Sequence, residues 1–271
     1  MKIRIVDAFT ARPFAGNPAG VVLLDADGFP DEDRMRQVAA EVNLSETAFA
    51  YPLPPGAPAD WALRWFTPVT EVDMCGHATL ATAHTLLSTG AATGMIRFTT
   101  RSGVLRAASA DGGAVTLDFP TAPLAPVEPP SALPQALGAP VLGAYDTGRN
   151  VGDLLVELPD ESAVRELSPD LAAIGRLPHR GVIVTAAARD RTGGYDFVSR
   201  FFGPAVGIPE DPVTGSAHTA LAPFWSARLG RTELTGLQAS ARTGLVRTAL
   251  HGDRTLLTGH AVTVIEGDLL A

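Results

Sequence analysis

A five-residue phrase occurs twice in this chain of 271 residues: Arg64-Trp65-Phe66-Thr67-Pro68 is echoed 136 positions later by Arg200-Phe201-Phe202-Gly203-Pro204. Each copy runs on through a glycine-bearing turn into an apolar stretch of helical character. The first passes Cys75-Gly76-His77-Ala78 and enters Thr79 to Leu87; the second passes Thr214-Gly215-Ser216-Ala217 and enters His218 to Trp225. The step from proline to glycine is 8 residues in the first copy and 11 in the second, so the second turn carries three extra residues. One repeated pentapeptide could be chance. The same strand, turn and helix following both copies, half a chain apart, points to duplication. Two related halves predict two facing sites and one cleft.

Local patterns fill in the halves. Ile3 to Phe9 reads as a strand, followed by a loop through Gly16-Asn17-Pro18 and a second strand from Ala19 to Leu24, the two forming a hairpin-like or crossed pair. Asp31 to Val42 has acids in its first turn and apolar residues at helical spacing (Met35, Val38, Ala39, Val42), and Asn43 is placed to cap its end. Thr47 to Tyr51 and Trp61 to Phe66 are strand patterns, which puts Glu46 where a loop enters a sheet. Thr79 to Leu87 is apolar nearly all round, the mark of a buried helix wrapped by sheet. Five prolines between Phe119 and Pro130 exclude a helix or an inner strand and read as the linker between halves. The expected domains are 1–118 with a C-terminal strand at about 262–271, and 119–261.

Bulk composition removes several classes of function. The formal net charge is −8, and Lys and Arg are scattered singly, so a polyanion is repelled over most of the surface and nucleic acid is not expected as a partner. Charges alternate through Lys2 and Arg4, where a signal peptide would be apolar, and no apolar run reaches the length of a membrane span. A single cysteine, Cys75, excludes an intrachain disulfide and fits a reducing compartment, which predicts a cytoplasmic protein.

The repeated helix starts are the first candidates for chemistry. Backbone N–H groups in a first turn lack intrahelical partners and carry partial positive charge, so Gly76, Ala78, Gly215 and Ser216 could hold an anion such as a substrate carboxylate. Alternatively the glycines serve tight turns and Ser216 caps a helix. Glu46 lies among apolar neighbours (Val42, Leu44, Ala48, Phe49), surroundings that favour an acid/base role, although position alone does not separate it from a surface carboxylate. His77 adjoins Gly76 at a helix start, where a neutral imidazole can give or take a proton; a capping role is the alternative. Its approximate counterpart His218 reads rather as a core histidine. Asp211 precedes the second turn and could be a second carboxylate or a turn-forming Asp before Pro212. His84, His179, His251 and His260 have no ligand-like spacing, and no nucleotide-binding glycine pattern occurs, so neither a metal nor a cofactor is expected. Cys75 could act in proton transfer, but a mechanism with two opposed thiols is excluded.

Taken together, Val6-Asp7-Ala8-Phe9-Thr10, Gly16-Asn17-Pro18-Ala19, Asn43-Leu44-Ser45-Glu46-Thr47, Phe66-Thr67-Pro68, Cys75-Gly76-His77-Ala78-Thr79 and Glu210 to Ala217 resemble the PhzF family, named for the phenazine-biosynthesis isomerase. The resemblance implies an α+β fold of the diaminopimelate epimerase type: two pseudo-symmetric domains, each a curved, mainly antiparallel sheet around a central helix, commonly in a homodimer. It implies a cofactor-independent isomerase with Glu46 as acid/base, His77 and Asp211 as further polar catalytic residues, and Gly76, Gly215 and Ser216 on the substrate. The phenazine enzyme moves a proton on dihydro-hydroxyanthranilate, and has Ala and Pro around its Gly-His where this chain has Cys75 and Ala78-Thr79. An amino-acid racemase or epimerase and a non-catalytic small-molecule binder are the alternatives.

Overall fold

The structure, a computed structural model, describes residues 1–25 and 28–270. In order along the chain, the first half contributes β1 (Lys2–Ala8), β2 (Asn17–Leu23), α1 (Glu32–Val42), β3 (Thr47–Pro52), β4 (Trp61–Phe66), β5 (Glu71–Val72), α2 (Gly76–Ser88), β6 (Met95–Thr100), β7 (Gly103–Ser109) and β8 (Val115–Pro120). The second contributes β9 (Ala125–Val127), α3 (Leu133–Leu137), β10 (Gly143–Asp146), β11 (Asp153–Glu157), α4 (Glu161–Arg165), α5 (Leu171–Ile174), β12 (Gly181–Ala187), β13 (Phe197–Gly203), β14 (Ile208–Asp211), α6 (Gly215–Leu229), β15 (Glu233–Gln238), β16 (Gly244–His251) and β17 (Arg254–Gly259). The chain ends in β18 (Ala261–Asp268). Contacts divide it into two units, Met1–Asp118 with Thr258–Ala271, and Phe119–Leu257.

In the first unit the strands lie in the order β18, β1, β2, β3, β4, β6, β7, β8. All neighbours run antiparallel except β2 with β3 and β4 with β6. The second unit repeats the scheme as β9, β10, β11, β12, β13, β15, β16, with β11–β12 and β13–β15 as its parallel pairs. Short β5 pairs with β4 as β14 pairs with β13. Parallel neighbours need a crossover, and in both units the crossover into the second parallel pair carries the long central helix. The duplication inferred from one pentapeptide therefore extends to the whole strand order.

Burial follows the same logic. α2 packs against β1, β2, β3, β7 and β18, and nine of its residues are buried. It tolerates this despite three buried threonines because their hydroxyls bond back to carbonyls one turn earlier, Thr79 to Cys75 O (2.6 Å), Thr82 to Ala78 O (2.8 Å) and Thr85 to Ala81 O (2.9 Å). On the other face, Met35, Val38 and Ala39 of α1 meet Val22, Phe49 and Phe66. In the second unit α6 buries Ala217, Ala220, Leu221, Phe224 and Trp225 against Leu155, Ile183, Phe197 and Phe201. The short helices α3, α4 and α5 cover the opposite face.

The proline-rich segment is not wholly strandless. Ala125–Val127 adds an edge strand to β10, where the missing N–H of Pro126 is tolerated. Both glycine "turns" are already helix: Gly76 and Gly215 are the first residues of α2 and α6, with Cys75 and Thr214 at the N-cap positions.

Candidate active site

Helix α1 delivers the first candidate residue. Asp31 accepts a hydrogen bond from the Arg34 N–H at its start, and Asn43 ends it in the left-handed conformation (φ 54°, ψ 35°). Four residues later the chain enters β3, anchored by the Gly20 N–H donating to the Glu46 carbonyl at 3.1 Å. The Glu46 side chain is thus held on hydrogen-bonded backbone at the start of an interior strand, 8% exposed. His77, the second residue of α2, is equally buried, and its Nε2 lies 3.3 Å from Glu46 Oε2. On the other side of the ring, Nδ1 is 3.5 Å from the Cys75 sulfur.

Glu46, His77 and Cys75, separated by about thirty positions in sequence, therefore form one buried chain of groups through the two ring nitrogens. An imidazole with a carboxylate at one nitrogen can accept a proton at the other or pass one on. The three also offer ligand atoms within 4.8 Å of one another, a proximity that residue spacing does not reveal. The thiol and carboxylate face different nitrogens, whereas an ion binds one nitrogen's lone pair; the arrangement suits proton passage better than convergent ligation. Ala78 follows, fully buried, with its carbonyl taken by Thr82.

In the second unit Asp211 closes β14 and is 7% exposed. Its Oδ2 accepts the Thr214 hydroxyl at 2.5 Å, a contact that spans the turn through Pro212. The turn is fixed from below by Gln238, fully buried, whose Oε1 accepts the Thr214 N–H (2.8 Å) and whose Nε2 donates to Asp211 O (2.7 Å). Ser240 donates to Pro212 O at 2.8 Å. Ser216, half-buried in the first turn of α6, accepts a hydrogen bond from Arg180 Nη2 at 3.0 Å. His218 does not join this group. It is fully buried, its Nδ1 donates to Thr214 O at 2.8 Å, and desolvation lowers its pKa to about 4.

Gln238, Ser240, Arg180 and Asp153 escaped the sequence reading. Gln238 and Ser240 sit in ordinary strand and loop surroundings without a motif. Asp153, an acid opening the apolar strand Leu154-Leu155-Val156, was the one detectable signal, because a buried carboxylate there demands a partner. That partner is Arg180.

Both units belong to the α+β class in which a mainly antiparallel sheet is wrapped about one buried helix and presents polar groups at that helix's start. The sequence profile of the phenazine biosynthesis-like proteins matches residues 6–267. An uncharacterized isomerase of Pseudomonas aeruginosa is 46% identical over 97% of this chain and 96% of its own. The crystal structure of a PhzF-family protein from Enterococcus faecalis superposes with a TM-score of 0.91 at 39% identity, covering 100% and 99% of the two chains. A hydroxyproline epimerase from Agrobacterium vitis shares the fold alone, at a TM-score of 0.61 and 13% identity over 98% and 91%. The chain is a member of the phenazine biosynthesis-like (PhzF) family, with the diaminopimelate epimerase type of fold. Among the described residues no helix is long and apolar enough to cross a membrane.

Proposed function

We propose that the protein is a cofactor-independent isomerase in which Glu46 takes a proton from, and returns it to, a small carboxylate-bearing substrate. The observation that carries this reading is the buried Glu46 carboxylate 3.3 Å from His77 Nε2, at the start of a buried helix. A carboxylate on rigid backbone, with an imidazole to share its proton, can serve in both directions of a transfer. His77 and Asp211 are the further catalytic groups, and Gly76, Ala78, Gly215 and Ser216 hold the substrate. Duplication of the helix start supports including the second unit's residues. The family match and isomerase-named relatives support the reaction class. A cytoplasmic homodimer accompanies this reading by family habit, and sedimentation would test the assembly.

The test is solvent deuterium incorporation into small cyclic hydroxy-carboxylates, dihydro-hydroxyanthranilate first among them. Glu46→Gln should lower exchange by about a thousandfold while leaving binding nearly unchanged. Exchange that survives this change rules Glu46 out as the base. A second reading, a racemase or epimerase, is favoured by the Cys75 sulfur 3.5 Å from His77 Nδ1. It predicts deuterium at a stereocentre and loss of exchange in Cys75→Ala. Binding of these acids with no exchange at all would instead indicate a binding protein on this scaffold.

A further inference from the structure

The two units place different chemistry at the same structural position. Glu46 directly precedes β3, the strand paired in parallel with β2, and touches His77, the second residue of α2. Arg180 directly precedes β12, the strand paired in parallel with β11, and touches Ser216, the second residue of α6. An acid and a histidine in one copy correspond to a guanidinium and a hydroxyl in the other.

Arg180 is fixed to an unusual degree for an arginine with a side chain 37% exposed. Its Nε donates to Val151 O and Asp153 Oδ1, both at 3.0 Å, and Nη2 donates to Asp153 Oδ2 at 2.6 Å. The guanidinium lies over the Phe201 ring at 5.2 Å. Asp153 is fully buried, so the pair runs from a carboxylate in the interior to a cation at the half-open end. Burial alone raises the Asp153 pKa, and Arg180 opposes that shift. Two features exceed what neutralising Asp153 requires. Among the described residues no acceptor meets Nη1, and Nη2 spends its second proton on Ser216. A guanidinium only donates, so the Ser216 oxygen accepts and its own proton is left to be given away.

We infer that Arg180 and Ser216 form an anion-recognising pair: Nη1 and the Ser216 hydroxyl are two donors held side by side for a carboxylate, and Arg180 decides which acids the protein accepts. This rests on the reading of Ser216 as a substrate-holding residue and adds the group that gives it its direction. A guanidinium that merely compensates Asp153 would leave the chemistry at position 216 unaffected.

A thiol reporter tests it without any assumption about Glu46. In a Cys75→Ala background, Ser216→Cys provides a single thiol, alkylated in parallel with anionic iodoacetate and neutral iodoacetamide. With Arg180 present, the iodoacetate-to-iodoacetamide rate ratio should exceed that of free cysteine by about fivefold, and benzoate should slow the reaction. In Arg180→Met paired with Asp153→Asn, which avoids leaving a buried unpaired charge, the ratio should fall to the free-cysteine value and protection by benzoate should vanish. Arg180→Lys keeps the charge but loses the fork and should fall between. A ratio independent of Arg180 in variants with wild-type circular dichroism overturns the pair. If Glu46→Gln retains proton exchange while the arginine dependence holds, only the acid/base reading fails.

Discussion

At the scale of single residues, the two histidines at corresponding helices show how burial and partners decide a role. His77 lies between a carboxylate and a thiol, three groups that can trade protons. His218 lies beside the Phe197 ring with Nδ1 donating to a carbonyl, and its Nε2 has no hydrogen-bond partner. The neutral ring alone fits there, which is why its pKa falls from 6.5 to about 4. In that interval the unfolded chain binds a proton that the folded chain refuses, so stability is full above the unfolded value and declines as pH falls toward the folded one. The decline should reach about 3 kcal/mol. Thermal melts between pH 7 and 4 should show a slope that His218→Gln flattens; an unchanged slope would remove His218 as its source. Sequence distinguished these histidines through two residues of offset at the helix start. It could not show that Glu46, about thirty positions upstream, meets His77, because that contact depends on how a parallel strand pair is registered.

At the scale of elements, the repeated phrase gains a physical meaning. Arg64 grips Glu71 through Nε and Nη2 at 2.7 and 2.6 Å, and Arg200 grips Glu210 at 2.7 and 3.0 Å. Each guanidinium also lies over the phenylalanine two positions on, Phe66 at 5.2 Å and Phe202 at 4.9 Å. In both units this fork ties β4 or β13 to the short strand beside it, β5 or β14, and so fixes the approach to the helix start. The arginines and aromatics were legible as a repeat. Their acids were not, since Glu71 follows its arginine by seven residues and Glu210 by ten. The difference is the three-residue insertion, seen as a short 3-10 turn at Pro204–Val206. Glu71→Gln and Glu210→Gln should each cost about 1–3 kcal/mol in denaturant unfolding, because the partner arginine stays largely buried. Arg64→Lys and Arg200→Lys should also destabilise, since an ammonium cannot make the fork. If one half proved indifferent while the other lost stability, the two forks would not be equivalent supports.

At the scale of the whole molecule, the last strand governs the first unit. β18 runs antiparallel to β1 from Ala261 opposite Ala8 to Asp268 opposite Lys2, with a register shift between Ile5 and Val6. β1 is thereby an interior strand, and Val6, Asp7 and Ala8 are buried. The ion pairs along this seam, Lys2 with Asp268 at 2.9 Å and Arg4 with Glu266 at 3.0 Å, have an acid partner more than half exposed and add little. What the strand provides is a ladder of backbone hydrogen bonds and a cover for β1, whose unpaired N–H and C=O groups would otherwise form a new edge. Truncation after His260 should therefore abolish amide-exchange protection at Ile5 to Ala8 and weaken it at Val21 and Val22, which pair with β1 on its other side. Val182 to Val184 lie in the second unit's own cores, on the two faces of its sheet, with their own partners in β11 and β13, and should keep their protection. Uniform loss across both sets of amides would mean that the chain unfolds as one cooperative body, and that each unit's sheet and core are insufficient to hold it alone.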